Sequence, residues 1–200
     1  NCCVIPLVKA LHVLQYEDLE RVDVATYQSV SGAGRQALQQ LQQQTNQGLE
    51  EPYHYNVIAQ LGPIAAHGYY DEEWKIIHET RKLLPHASYM IHPQAVRVPT
   101  MFGHGLAVTI TAKEPWDVQK VYADFAAAED FEVFREGVPT PNNFKSREKI
   151  ALGRLRLSLF SDRILQFWLL SDNISVGSAL NAVRIAERLH ARKLVEIPEF

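Results

Sequence analysis

Cysteine is scarce in this sequence, with two residues in 200. The two cysteines are adjacent, Cys2 and Cys3, and neighbouring residues rarely meet disulfide geometry without strain. Two thiols without a paired cluster of ligands also argue against a zinc site, so we expect no bound metal. The simple interpretation is a cytoplasmic protein with free thiols.

An excess of positive charge is lacking as well. The 20 Lys and Arg residues face 23 Asp and Glu residues, which gives a net charge of −3. Because no basic patch or stripe appears, we expect no binding to nucleic acid or to membranes. No apolar run reaches the ~20 residues that cross a bilayer. What remains is an ordinary globular composition with 46% hydrophobic residues, a size that suits one domain.

The hydrophobic pattern mixes strands with helices and lacks a regular βαβ alternation. It predicts strands at 21–28, 95–99, 106–113, 131–134, 149–159 and 164–170. It predicts helices from residue 4 and at 36–47, 72–84, 116–128 and 178–193. Asp71 is the predicted N-cap of the third helix. The last helix is predicted to bury Leu180, Val183, Ala186 and Leu189. The fold class is therefore α+β, a mixed, mostly antiparallel sheet with helices on one face.

A candidate nucleophile opens the chain. Cys2 directly precedes the apolar helical run, so its thiol feels the positive end of the helix dipole, which lowers a thiol pKa. Cys3 points about 100° away around a helix, so we expect one of the two to face a site. The alternative for Cys2 is a small buried hydrophobic residue.

Four further side chains could assist a thiol. His104 lies between two glycines in a predicted bend, where it could be a general base or simply an exposed loop histidine. Arg97 lies amid apolar neighbours, and its planar fork would bind either a structural acid or a substrate carboxylate. Glu79 and Lys82 are three apart on a predicted helix, and that spacing alone suggests a surface ion pair.

Polar residues also lie where predicted elements end. Gln28, Ser31 and Gly32 lie where a strand enters a loop of small residues, a common place for ligand contacts. Asn173 precedes the last predicted helix and could be a helix cap or a contact to a cofactor amide.

Taken together, the sequence resembles the C-terminal, catalytic half of aspartate-semialdehyde dehydrogenase along essentially its whole length. The matching runs are Asn1-Cys2, VATYQSVSGAGR (24–35), YNVIAQLG (55–62), EEWKIIHETRKLL (72–84), VRVPTMFGHG (96–105), VPTP (138–141), ALGRLR (151–156) and WLLSDNISVGSALNAVRIAE (168–187). Their order, and the spacing between Arg97 and His104, are more specific than any single motif. The implied fold is that of the C-terminal domain of glyceraldehyde-3-phosphate dehydrogenase-type enzymes.

The resemblance implies an NADP-dependent reaction that converts β-aspartyl phosphate into aspartate semialdehyde through a cysteine thioester. This step belongs to lysine, threonine, methionine and diaminopimelate biosynthesis. The implied catalytic residues are Cys2 as nucleophile, His104 as acid/base and Gln28 as the residue that positions the substrate.

The resemblance also implies how substrate and cofactor are bound. Arg97 matches the clamp for the substrate carboxylate, Glu79 the residue that meets the amino group, and Lys82 one that helps to hold phosphate. The implied neighbours of the nicotinamide cofactor are Ser31, Gly32 and Asn173. The implied assembly is a homodimer.

Several departures from the family pattern matter. Residues 1–200 would be the catalytic and dimerisation domain, without the N-terminal Rossmann domain that supplies most of the NADP site. Alone, the chain should therefore be nearly inactive. Gly105 stands where the family usually has serine, and Cys3 where it usually has a small hydroxyl residue.

Two alternatives stay open at this point. One is an inactive paralogue or isolated domain that acts in dimerisation. The other is a related acyl-phosphate reductase such as N-acetyl-glutamyl-phosphate reductase, although the ETRK and RVPTMFGH runs favour the aspartate enzyme.

Overall fold

The computed structural model describes residues 1–14, 18–45, 48 and 50–194. Within these ranges the helices and strands are α1 Val4–Val13, β1 Leu19–Gln28, α2 Arg35–Gln43, α3 Asp71–Leu83, β2 Met90–Arg97, β3 His104–Ala112, α4 Val118–Ala127, β4 Phe131–Phe134, β5 Ile150–Leu157, β6 Ile164–Ser171 and α5 Leu180–Ala191. Part of the predicted extension of α2, residues 46 and 47, lies outside the described residues. No described helix is long and apolar enough to cross a membrane.

The strands form one sheet in the order β2-β1-β3-β6-β5-β4. The pairs β1–β3, β3–β6 and β5–β6 are antiparallel, whereas β1–β2 and β4–β5 are parallel. This mixed, mostly antiparallel sheet confirms the predicted α+β class.

The main core lies between one face of the sheet and the helices α1, α3 and α4. Alternate strand residues point to this face, as a period of two requires. The buried side chains that build it include Leu7, Leu11, Ile76, Phe125, Val22, Val24, Leu106, Val108, Ile110, Leu165, Phe167 and Leu169. A smaller cluster of Phe144, Ala151 and Leu170 lies apart from this core. The prediction of helices on one face therefore holds for α1, α3 and α4.

The predicted burial of α5 is wrong. No residue of α5 is buried; Val183 is 53% exposed and Leu189 36% exposed. Leu180 alone of the four predicted inward residues packs against the main core. The periodic pattern shows that a helix has an apolar face, but it does not say what covers that face.

Two predicted boundaries also need correction. Tyr70, not Asp71, is the N-cap of α3; its N–H donates to Glu73 Oε2 at 3.0 Å, while Asp71 pairs with Lys75. Strand β2 begins at Met90, five residues before the predicted start, because its parallel pairing with β1 extends that far. Its register places Arg97 beside Gln28, which brings two candidate site residues together.

Candidate active site

The start of α1 holds the two thiols. Asn1 Oδ1 accepts hydrogen bonds from the N–H groups of Cys3 at 2.8 Å and Val4 at 3.2 Å, which satisfies donors that a helix start leaves open. Cys3 is buried, whereas Cys2 is partly exposed. As the sequence predicts, one thiol of the pair is accessible and sits at a helix N-terminus.

The two thiols have opposite acid strengths. The hydrogen bond from the Cys3 thiol lowers the pKa of the Cys2 thiol to about 4, against the opposing effect of burial, and the His104 imidazole adds to the lowering. Burial raises the pKa of the Cys3 thiol well above its usual value. Cys2 is therefore a thiolate near neutral pH, and Cys3 stays a neutral S–H donor beside it.

His104 is the first residue of β3 and is fully buried, not an exposed loop histidine. Its Nδ1 accepts a hydrogen bond from the Ser29 N–H at 3.0 Å, and the Ser29 hydroxyl lies 3.1 Å from the same atom. Nε2 has no hydrogen-bond partner within the part of the chain that the structure describes. A ring nitrogen of His104 and the sulfurs of Cys2 and Cys3 all lie within 4.8 Å of one another.

Gln28 is held by a residue that the sequence did not single out for the site. Gln28 ends β1 with 2% exposure, and its Nε2 donates to Thr26 Oγ1 at 3.2 Å and to Glu72 Oε1 at 3.1 Å. The same oxygen of Glu72 accepts from Asn1 Nδ2 at 3.0 Å. Glu72 thus ties the end of β1 to Asn1 at the start of α1. From the sequence alone, it is one more acid in the first turn of a helix.

Arg97 reaches into the same region from the end of β2. A guanidinium N–H donates to the Ser29 carbonyl at 2.8 Å, and the same nitrogen lies 3.5 Å from Gln28 Oε1. Burial lowers the pKa of Arg97. None of the carboxylates in the described ranges forms an ion pair with it. Since a guanidinium has five N–H donors, most of them remain available to a ligand.

Asn173 organises the loop after β1. Its Oδ1 accepts from Ser29 Oγ at 3.1 Å, from Ser31 Oγ at 3.2 Å and from the Gly103 N–H at 3.0 Å. Its Nδ2 donates to Ser31 Oγ at 2.9 Å. The turn after it is capped by Asp172, so the helix-cap alternative does not hold for Asn173. With 3% exposure, Asn173 holds Ser29 and Ser31 against the bend before His104.

Two glycines allow the backbone to approach the reactive groups closely. A Cβ atom at Gly32 would lie 2.9 Å from the Arg97 guanidinium and 3.2 Å from His104 Nε2. A Cβ atom at Gly177 would lie 2.9 Å from the Cβ of Cys2. Gly177 belongs to the π-helical turn Ser175–Ala179, and sequence reasoning missed it. A glycine just before a predicted helix does not reveal from the sequence which side chain packs against it.

Glu79 and Lys82 lie on α3, and they do not pair with each other. Glu79 Oε2 lies 3.4 Å from the α-amino group of Asn1, and its side chain is 38% exposed. Lys82 is exposed. The structure brings Glu79 next to the start of α1 but draws Lys82 into no described contact with Cys2 or His104.

The α+β fold, with two thiols, a buried imidazole and a guanidinium gathered near the start of α1, defines a class of protein, a mixed-sheet domain with a cysteine–histidine cluster. The family described as semialdehyde dehydrogenase, dimerisation domain, matches residues 8–176. The chain belongs to this family.

Named relatives agree with this assignment. The chain is 36% identical to the aspartate-semialdehyde dehydrogenase of Shewanella sp. (strain DB6705) and 32% identical to aspartate-semialdehyde dehydrogenase 2 of Vibrio cholerae. Each comparison covers 94% of this chain and 60% of the relative. The chain therefore spans about 60% of the length of these relatives.

Solved structures agree as well. The crystal structure of aspartate semialdehyde dehydrogenase II from Vibrio cholerae matches with a TM-score of 0.88 and 31% identity, over 96% of this chain and 61% of that one. The same enzyme complexed with ASA matches with a TM-score of 0.88 and 30% identity. The Candida albicans enzyme, at 19% identity and a TM-score of 0.76, shows the shared fold.

Proposed function

We propose that this chain is the thiol-bearing catalytic part of an aspartate-semialdehyde dehydrogenase. One observation carries the proposal: the Cys2 thiolate lies beside the buried His104 ring, in a chain whose relatives of 32–36% identity bear that name. The reaction would be the reductive dephosphorylation of β-aspartyl phosphate to aspartate semialdehyde. An inactive scaffold has no physical need for a stabilised thiolate.

The first half-reaction needs a nucleophile and a binding site for a dicarboxylate-derived substrate. The Cys2 thiolate would attack the acyl carbon, form the thioester bond and release phosphate with the bonding electron pair. The open N–H groups of Arg97 suit the substrate carboxylate, and Gln28 beside it would orient the acyl group. Glu79 would meet the amino group, and Lys82 would assist phosphate binding. The ASA complex of the Vibrio cholerae relative supports a semialdehyde ligand.

The second half-reaction involves a nicotinamide cofactor, and NADPH, when bound, would supply the hydride that reduces the thioester. This chain offers Gly32, which is exposed and has no side chain, so a flat ring could come close to His104 and Arg97. The amide of Asn173 is engaged with Ser29, Ser31 and Gly103, so its fit to the cofactor is indirect. Most of the NADP site would lie in the part of the relatives that this chain does not span.

The proposed setting is a cytoplasmic homodimer with small-molecule substrates. The description of the matched family as a dimerisation domain supports self-association. A suitable surface is the face of β1 and β3 opposite the main core, where Tyr27 is 42% exposed and Ala107 and Thr109 are partly exposed. Free thiols in both cysteines fit a reducing compartment.

The sharpest test separates thioester formation from hydride transfer. The full-length gene product would be mixed with β-aspartyl phosphate without NADPH, and its intact mass measured. We expect the mass to rise by one aspartyl group, in the wild type but not in Cys2→Ser, with Cys3→Ser as the matched control that still acylates. Phosphate-dependent NADP reduction with L-aspartate semialdehyde would complete the assignment.

Two results would redirect the proposal. Acylation by N-acetyl-glutamyl phosphate in place of β-aspartyl phosphate would favour the related reductase. A full-length product that neither acylates nor reduces NADP, yet dimerises, would favour the inactive dimerisation domain.

A further inference from the structure

The surroundings of His104 define where its ring carries a proton. The Ser29 main-chain N–H donates to Nδ1 at 3.0 Å, and a main-chain N–H has no lone pair with which to accept. The Ser29 hydroxyl lies 3.1 Å from Nδ1, 3.1 Å from Asn173 Oδ1 and 3.0 Å from Ser31 Oγ, and it can donate to any of the three. Nδ1 must therefore keep its lone pair.

A neutral imidazole whose Nδ1 is an acceptor carries its proton on Nε2. Nε2 is fully buried, has no hydrogen-bond partner among the described residues, and faces the space between Gly32 and the thiols. We propose that Ser29 is a positioning residue whose main-chain N–H holds His104 as a neutral ring with the proton on Nε2.

This tautomer changes what His104 can do. It offers a hydrogen bond to the Cys2 sulfur and to a nearby substrate oxygen, but no lone pair for the removal of a proton. A metal-bound imidazole needs the opposite arrangement, with a lone pair on the metal side and an N–H donated outward. With its proton on Nε2, His104 therefore presents a hydrogen-bond donor to the sulfurs of Cys2 and Cys3, and not the lone pair that a metal ion would need.

The catalytic use of the Nε2 proton rests on the proposed function. For that reaction, hydrogen-bond donation by a neutral His104 is sufficient. Attack of a thiolate on an acyl phosphate places negative charge on the acyl oxygen, and the expulsion of phosphate returns it. Hydride addition to the thioester again gives an oxyanion, which collapses to the aldehyde and the thiolate. Neither half-reaction needs a proton at this oxygen, whereas both gain from a preorganised donor.

The tautomer can be measured directly by ¹⁵N NMR of histidine-labelled protein at neutral pH. His104 is assigned by the signals that disappear in His104→Gln. We expect Nε2 to give a protonated, pyrrole-type signal and Nδ1 an unprotonated, pyridine-type signal. A protonated Nδ1, alone or together with Nε2, would overturn the proposal.

The role of Ser29 is tested by two variants. Ser29→Pro removes the N–H, and the native φ of −67° after a strand residue suits proline. We expect it to show a substantial Nδ1–H population, while Ser29→Ala, which keeps the N–H, retains the wild-type tautomer. An unchanged tautomer in a folded Ser29→Pro variant would assign the preference to another group. If that variant does not fold, the wild-type and Ser29→Ala spectra decide.

Activity provides a separate readout. In the full-length protein, Ser29→Pro should lower kcat by at least ~10-fold with a smaller change in KM, because a donor to the oxyanion acts mainly in the transition state. The NMR result stands even if the protein acts on another substrate, so failure of the proposed function would not be mistaken for failure of the tautomer. Suppose that the Ser29→Pro variant loses the Nε2–H tautomer in the NMR spectrum and still keeps the wild-type kcat. That outcome would overturn the catalytic use of the Nε2 proton.

Discussion

Cys2 gains its reactivity from its immediate neighbours in the chain and from one distant residue, His104. Cys3 supplies a thiol hydrogen bond, His104 supplies an imidazole, and the N-terminus of α1 supplies the positive pole of a helix dipole. Of these, the hydrogen bond from Cys3 lowers the pKa of Cys2 the most. The second thiol, which the family resemblance leaves unexplained, therefore has a physical role as a donor.

We expect the rate of Cys2 alkylation by iodoacetamide to stay high from pH 9 to about pH 5 and to fall near pH 4, since only the thiolate reacts. In Cys3→Ala the midpoint should rise by roughly 1–2 pH units, the worth of one hydrogen bond to a charged group. Rates would be followed by mass spectrometry in the presence of a chelator and a reductant. Cys3→Ser, which keeps a donor, should shift less. Equal midpoints in all three proteins would contradict this account.

Arg97 is expected to act through the geometry of its fork. In the full-length protein, Arg97→Lys keeps the charge but loses paired donors, so KM for the semialdehyde should rise by roughly 10- to 100-fold. Steady-state kinetics would measure the change, with thermal unfolding as a check on the fold. Arg81→Lys, at an exposed position of α3, is the matched control. Unchanged kinetics in Arg97→Lys would make Arg97 purely structural.

The sequence revealed the residues with distinctive chemistry and missed some that act by position, such as Ser29 and Glu72. Cys2 and His104 could be singled out because a thiol before a helix and a histidine between glycines are unusual. Ser29 contributes its main chain, and Glu72 contributes a contact across 44 residues to Gln28. Such contacts depend on strand register, which single residues do not encode.

At the scale of elements, pairing in the sheet determines which side chains meet. The antiparallel pairing of β3 with β6 sets Ala107 opposite Trp168 and Gly105 opposite Leu170. The indole of Trp168 lies over Gly105, and a Cβ at Gly105 would overlap that ring. Trp168 is fixed there by its Nε1 hydrogen bond to the Pro139 carbonyl at 3.1 Å and by the Tyr27 ring at 5.6 Å. The serine usual in the family would not fit here without movement of this ring.

Gly105→Ser should therefore destabilise the protein by about 1–3 kcal/mol, the usual cost of overpacking. Urea unfolding followed by circular dichroism would measure it. In a Trp168→Ala background, the loss of stability caused by Gly105→Ser should be smaller than in the wild type, because the alanine leaves room for the serine side chain. If the cost of Gly105→Ser is the same in both backgrounds, Trp168 is not the reason for the glycine.

Elements with their own periodic signal were predicted well, and their environments were not. The strands β1, β3, β4 and β6 lie within two residues of the predicted limits because alternation marks a half-buried strand. Helix α5 was also predicted, but the surface that packs against it was not, since an apolar stripe does not specify what covers it. The exposed Val183 and Leu189 belong to a chain that spans 60% of its relatives.

At the scale of the whole molecule, the sheet has two faces with different roles. The inner face packs on the helices α1, α3 and α4, while the outer face of β1 and β3 carries partly exposed Tyr27, Ala107 and Thr109. In a twofold dimer the same patch would meet itself, so each substitution acts twice. The outer face is thus the most sensitive place to test the proposed homodimer.

Thr109→Arg would place two like charges in the middle of such an interface. We expect the wild-type chain to sediment as a dimer at micromolar concentration, and Thr109→Arg as a monomer with unchanged thermal stability of the monomer fold. The penalty for unpaired interfacial charges, about 2–5 kcal/mol, weakens association by roughly 30-fold or more. Gln119→Arg, exposed on α4 behind the opposite face, should remain dimeric. A dimeric Thr109→Arg protein, or a monomeric wild type, would mean that this face does not mediate self-association.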